Sequence, residues 1–287
     1  MTKIASSRSK RGPIRHIIAG IAAIALLLGA TEAANVPQDE AASGMIAAER
    51  RFAADAARIG IASAFRAHVA PDGILIRPDP APAPATLASD VDTPGVRLEW
   101  QPAIAAVARS GDLGFTTGPY QITHGDKAVH GRFLTVWERG SDGAWRWYLD
   151  HGMPPIGAGP GELASATVTI LRRGVAAKGA AAPGASEADV ALNALIVAEG
   201  TGVIADYLAP DGHLLRVKRG VVRKADARGD SAAVRSVETL GIRVSAAGDL
   251  AASYGRLIRV GEERAVYYVR VWRRDRAGWR LLVDRID

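Results

Sequence analysis

At 287 residues the chain has room for two ordinary domains, each with a modest core of its own. Its net charge of +6 is concentrated at the start, where Lys3, Arg8, Lys10, Arg11 and Arg15 against Glu32 leave +4 in residues 1–34 and +2 in everything after them. A nucleic-acid binder keeps its positive charge on the folded part, so nucleic acid is set aside as a partner; the lack of cysteine excludes disulfides, thiolate-bound zinc, thiol nucleophiles and a lipid-modified cysteine.

The basic cluster ending at Arg15 runs into fourteen apolar residues, Ile17 to Ala30, followed by small residues at Ala33 and Ala34. This is the pattern of a cleavable secretion signal over 1–34. The apolar run is short for a membrane span, which needs about 20 residues. No later stretch is long enough either, so the expectation is a soluble mature protein, periplasmic or secreted, with no membrane contact after cleavage.

In the segment that follows, Ser43 is expected to cap a helix with Met45, Phe52 and Ala56 on one face and Glu49, Arg50 and Arg51 leaning outward. Gly60 interrupts it, and Ile61, Phe65 and Val69 continue at helical spacing to a turn at Ala70-Pro71-Asp72-Gly73. A short strand at Ile74–Ile76 leads into a Pro-rich loop from Pro78 to Pro84. A strand from Arg97 to Ala108, broken at Pro102, turns at Ser110-Gly111-Asp112 into another over Leu113–Ile122. A hairpin of 132–138 and 145–150 closes around Ser141-Asp142-Gly143. Strict alternation along its last strand sets Trp145, Trp147 and Leu149 on one face and Arg146, Tyr148 and Asp150 on the other.

The same unit then occurs again. HVAPDGILIRP (68–78) aligns with YLAPDGHLLRV (207–217), SGDLGFTTG (110–118) with AGDLAASYG (247–255), and FLTVWERGSDGAWRWYLD (133–150) with YVRVWRRDRAGWRLLVD (268–284). The offset falls in small steps from 139 to 134, as shorter loops in the second copy require. The organisation read from this is a signal at 1–34, a first domain at 35–155, a Gly/Ala/Pro-rich linker at 156–185 and a second domain at 186–287. Within the linker, Thr167 to Ile170 alternate like a strand and could add one edge to a sheet. Helices first and a meander afterwards define an α+β fold with the helices on one sheet face.

A helical start, A-P-D-G-x-L/I-x-R, then S/A-G-D-L and a closing V-W-x-R…G-x-W-R…D resemble the nuclear transport factor 2-like superfamily, which includes the SnoaL-like cyclases and the steroid isomerases. The resemblance covers 43–152 and 186–287. It implies two tandem cone-shaped domains, each a curved antiparallel sheet wrapped around its N-terminal helices with a pocket at the open end. It also implies intramolecular pairing of the two domains, sheet to sheet. Isomerase-like members carry an acidic base just after the first strand; here that place holds Arg77, and Arg216 in the second copy. A guanidinium stays protonated and abstracts no proton at ordinary pH. Arg77 could recognise a carboxylate or phosphate at the pocket mouth, or be paired with an acid such as Asp72.

Trp137/Trp272 and Trp145/Trp279 recur and so define the shared core. Trp100, Tyr120, His130 and Trp147 occur in the first copy alone and, with Arg77, are the candidate ligand contacts. His130, Asp150 and His151 are the candidate catalytic groups. No cofactor or metal motif is present. The function expected is an exported tandem module that binds a small apolar or acidic ligand, or a protein partner. The alternative is an enzyme of the SnoaL/isomerase kind, active in the first domain only, which requires His130 and Asp150 to converge inside the cone.

Overall fold

A computed structural model describes residues 38–153, 163–176, 184–217, 219–229 and 231–287. The expected signal segment at 1–34 and the Gly-rich stretch at 156–161 lie outside these residues.

The chain opens on α1 (Gln38–Ile59), broken from α2 (Ile61–His68) at Gly60, whose φ of 99° is one that side-chain-bearing residues rarely adopt. The start of α2 has no cap of its own; Asp92 supplies it, accepting from the Ala62 N–H at 2.7 Å and the Ser63 hydroxyl at 2.8 Å. Ser43 lies inside α1 and caps nothing. Next come β1 (Val69–Ile76), β2 (Pro80–Pro82), α3 (Ala83–Ala88), β3 (Val96–Trp100), β4 (Ile104–Val107), β5 (Leu113–His124), β6 (Lys127–Arg139), β7 (Trp145–Met153) and β8 (Thr169–Ile170). The Pro-rich stretch is therefore an edge strand and the entry to a helix, because β1 offers its backbone to residues 80–82.

The second half repeats this with α4 (Ala185–Glu199), α5 (Ile204–Tyr207), β9 (Leu208–Arg216), β10 (Gly220–Arg223), β11 (Val234–Val244), β12 (Leu250–Arg259), β13 (Val266–Asp275) and β14 (Gly278–Ile286). The first sheet runs β2-β1-β7-β6-β5-β4-β8, with β3 also on β5; the second runs β10-β9-β14-β13-β12-β11. The shared stretch β1-β7-β6-β5 corresponds strand for strand to β9-β14-β13-β12. The sheets are mixed rather than purely antiparallel, since β1 runs parallel to β7 and β9 to β14.

The A-P-D-G segments are not free turns. Each is a bulge within β1 or β9, where the register slips between Val69 and Ile74 against β7, and between Leu208 and His213 against β14. Glycine is required because a Cβ at Gly73 would stand 2.6 Å from Val69 Cγ2 and 3.1 Å from the Ala70 carbonyl oxygen, and one at Gly212 only 2.4 Å from the Leu281 carbonyl oxygen.

A second bulge overturns the expected alternation of the last strand. Val136 faces Leu149 but Trp137 faces Trp147, so Tyr148 is the extra residue. Trp145 and Trp147 point to the helices, Tyr148 and Leu149 both join the core between the sheets, and Asp150 comes round to the helix side. Leu282 does the same in the second copy, returning Asp284 to the interior.

Three apolar clusters result. One lies between α1 and the first sheet, around Met45, Phe52, Trp137 and Trp147. One lies between α4 and the second sheet, around Leu192, Ile196, Tyr268 and Trp272. The third joins the two sheets back to back, with Phe115, Leu134 and Leu149 against Leu215, Val269 and Leu282. Each half is an α+β cone of helices against a wrapped sheet, and the layers run helix, sheet, sheet, helix.

Candidate functional site

The first cone holds a cavity of about 600 Å³ at its open end. Phe52, Phe65, Leu75, Leu87, Leu98 and Phe133 make up much of its wall. Its ionisable groups are Arg77 and Asp90 at the rim, Tyr120 from β5, and Asp150 from β7. Arg77 is exposed and pairs with Asp90 at 3.1 Å, not with Asp72, which instead bonds Arg243 of the second half.

Asp150 reaches the cavity because of the Tyr148 bulge. It is buried, and its Oδ2 accepts the Thr135 hydroxyl at 2.7 Å. Loss of water pushes its carboxyl up to about 6, against the lowering effects of Thr135, Arg77 and Arg285. Tyr120 is also raised by desolvation.

Glu49, read from the sequence as facing outward, lies wholly inside. It accepts from the Trp100 indole at 2.6 Å, the Trp137 indole at 2.9 Å and the Thr116 hydroxyl. Burial pushes its carboxyl up to about 7, with the three hydrogen bonds pulling the other way and the charge of Asp150 adding to the rise. Helical spacing did carry the signal: residues 45, 49, 52 and 56 form one stripe, so an acid sits on the apolar face. In α4 the stripe of 185, 189, 192 and 196 holds Asp189 in the same way.

The structure scatters the other candidates. Trp100 and Tyr120 line the cavity. Trp147 is buried against Phe52, the ring centroids 6.5 Å apart, and belongs to the core. His130 bonds the Gln121 side chain at 2.9 Å and does not reach the cavity. His151 is buried on the opposite face of the strand, with Nε2 3.3 Å from Asp287 but not aligned for a hydrogen bond. His130 and Asp150 therefore do not converge.

The second cone has the same acids in another electrostatic setting. Asp189 accepts from the Trp272 indole at 3.2 Å and the Ser253 hydroxyl at 2.8 Å, as Glu49 does from Trp137 and Thr116. Where the first copy has Thr135, the second has Arg270, wholly buried, which donates Nη1 to Asp189 at 3.0 Å and Nε to Asp284 at 3.0 Å. Arg216 completes the pairing, its Nη2 2.6 Å from Asp284. Asp189 is consequently lowered although burial works against it, the Arg270 charge being the chief opposing cause.

No protein-family profile matches the chain, and no curated protein matches it. Solved structures similar to this chain include nuclear transport factor 2-like proteins. One is such a protein of unknown function from Shewanella oneidensis, at 17% identity and TM-score 0.33, matching 38% of this chain and 96% of its own. A superfamily protein from Salmonella enterica serovar Typhimurium has 15% identity and TM-score 0.33, over 43% of this chain and 97% of its own. ActVI-ORFA from Streptomyces coelicolor has 15% identity and TM-score 0.31, over 39% and 95%.

Proposed function

We propose that the protein is an exported ligand-binding module whose first cone takes a small, mostly apolar molecule and whose second cone is a closed structural partner. The observation that carries this reading is the contrast between the cones. The first ends in a cavity of about 600 Å³ over a carboxyl that, among the described residues, has no ion-pair partner, whereas the corresponding carboxylates of the second are covered by Arg270 and Arg216. That volume falls within the roughly 300–1,000 Å³ of small-molecule sites, and the apolar wall with few polar groups is their usual make-up. Export rests on the basic start and apolar run before Ala33. A protein-contact role for the sheets has less support, since their outer faces are used on each other.

Titration with Nile red tests the reading, because its emission rises in an apolar pocket. The parent chain is expected to bind it saturably. Leu98→Trp, which fills the cavity from β3, is expected to weaken binding about tenfold or more with melting temperature little changed. Equal binding by the plugged variant, or none by the parent, overturns the proposal.

A second reading adds catalysis in the same pocket, with Asp150 as general acid or base. Its carboxyl near 6 is suited to that work at neutral pH. It has less support because neither His130 nor His151 lines the pocket to share the proton.

A further inference from the structure

The second cone records what the acid on its last strand holds. Arg216 and Arg270 put guanidinium nitrogens 2.6 and 3.0 Å from the two oxygens of Asp284. The Arg270 guanidinium also lies over the ring of Tyr268, 4.0 Å from its centroid. That cation therefore has two supports, a carboxylate and an aromatic face.

Both supports recur in the first cone without the cation. Asp150 stands for Asp284, following the same bulge. Phe133 stands for Tyr268 at the corresponding position of β6, and both Phe133 and Asp150 line the cavity. In place of Arg270 is Thr135, which gives Asp150 one neutral hydrogen bond. In place of Arg216 is Arg77, turned to Asp90 at the rim. The other cation acting on Asp150 is Arg285 of β14, which is paired with Asp287. Among the described residues, no arginine or lysine forms an ion pair with Asp150.

We infer that the ligand of the first cone is an apolar cation, a protonated amine on an aromatic or alicyclic body, whose head group sits between Asp150 and Phe133 as the Arg270 guanidinium sits between Asp284 and Tyr268. The inference rests on the first cone being a ligand site. The apolar wall takes the body, and the head group supplies the charge that Thr135 does not. An anionic ligand is disfavoured, since it would meet Asp150 while Arg77 is engaged by Asp90.

The test uses three probes of one skeleton, 2-naphthylethylamine, 2-naphthylethanol and 2-naphthylacetate, titrated calorimetrically into the full chain at neutral pH. The amine is expected to bind about tenfold or more tighter than the alcohol, and the acetate most weakly. Asp150→Asn, checked by thermal melting to be folded, is expected to bring the amine to the alcohol's affinity and leave the alcohol unchanged. The alcohol or acetate binding as tightly as the amine in the parent overturns the ligand class while leaving the pocket standing. An amine advantage that survives Asp150→Asn does the same. No binding by any probe, or binding of all three left unchanged by Leu98→Trp, overturns the pocket and the ligand class together.

Discussion

Asp112 and Asp249 make the same hydrogen bond in opposite directions between the two halves. Asp112 accepts from the Ala246 N–H at 2.8 Å, and Asp249 accepts from the Arg109 N–H at 3.1 Å. Each donor lies three residues before the aspartate of its own copy, so the S-G-D and A-G-D turns exchange equivalent contacts about a local two-fold. Such self-complementarity is what a symmetric dimer interface requires, here within one chain. It gives the repeated aspartates a structural reason to recur.

Asp249 is wholly buried and also bonds the Ser245 hydroxyl at 3.1 Å. Asp249→Ala leaves the Arg109 N–H without this acceptor. The expected loss is about 1–3 kcal/mol by urea denaturation, with Asp112→Ala costing less because its contact is more exposed. Equal and negligible effects would show that the exchange adds nothing to stability.

Arg270→Met strips the charge that compensates Asp189 inside the second cone and leaves Asp284 with Arg216 as its cation. Breaking a buried network by removing one partner costs about 3–5 kcal/mol, so the variant should be strongly destabilised at neutral pH and recover partly in mild acid as the Asp189 carboxyl, left without its cation, protonates. Denaturation at two pH values measures both effects. A variant as stable as the parent would mean that the cone tolerates bare acids.

Thr135→Arg tests the converse. The second copy accommodates an arginine at this place, so the variant should fold, pair with Asp150 and abolish Nile red binding. Retained binding in a folded variant would refute the correspondence between the cones.

Glu49 gives a signed pH dependence. Its carboxyl is raised by burial from 4.5 to about 7, so the folded state binds its proton more readily than the unfolded chain. Its contribution is most favourable below the unfolded value and is lost as pH rises towards 7. Glu49→Gln cannot ionise, so its stability relative to the parent should improve by about 2–3 kcal/mol between pH 4.5 and 7.5. A difference constant with pH would mean that the buried acid is not titrating in this window.

His151 has the opposite sign. Loss of water, with Arg285 nearby, holds its imidazole well below 6.5, so the unfolded chain takes the proton first and stability falls as the solution is acidified below that value. His151→Leu should remove this loss between pH 6.5 and 5, read as a flatter melting-temperature profile. An unchanged profile would put the imidazole's titration elsewhere.

The duplication and the fold class were legible because identical side chains recur in the same order. Trp137 and Trp272, Asp72-Gly73 and Asp211-Gly212, and Asp112 and Asp249 each occupy matching places in the two halves. The helix break at Gly60 and the hairpin at Asp142-Gly143 were equally legible, being local backbone requirements that the residues state themselves. The first cone's use of Trp100 and Tyr120 as wall was within reach of a comparison between copies. The inward acid at Glu49 could also have been read, had the stripe of 45, 49, 52 and 56 outweighed the neighbouring arginines.

What tertiary structure alone decided is which way the last strand faces and what charge each cone contains. The bulge at Tyr148 adds one residue, and with a side-chain period of two that reverses every face beyond it, bringing Asp150 inside and sending His151 to the other sheet. No local residue type announces it, because the slip is set by how Trp137 and Trp147 meet across the pair. The sequence by itself determined two copies of one helix-and-sheet unit; the difference between an open cone and a filled one depended on whether Thr135 or Arg270 faced the inward acid, a relation between strands that no single stretch of chain contains.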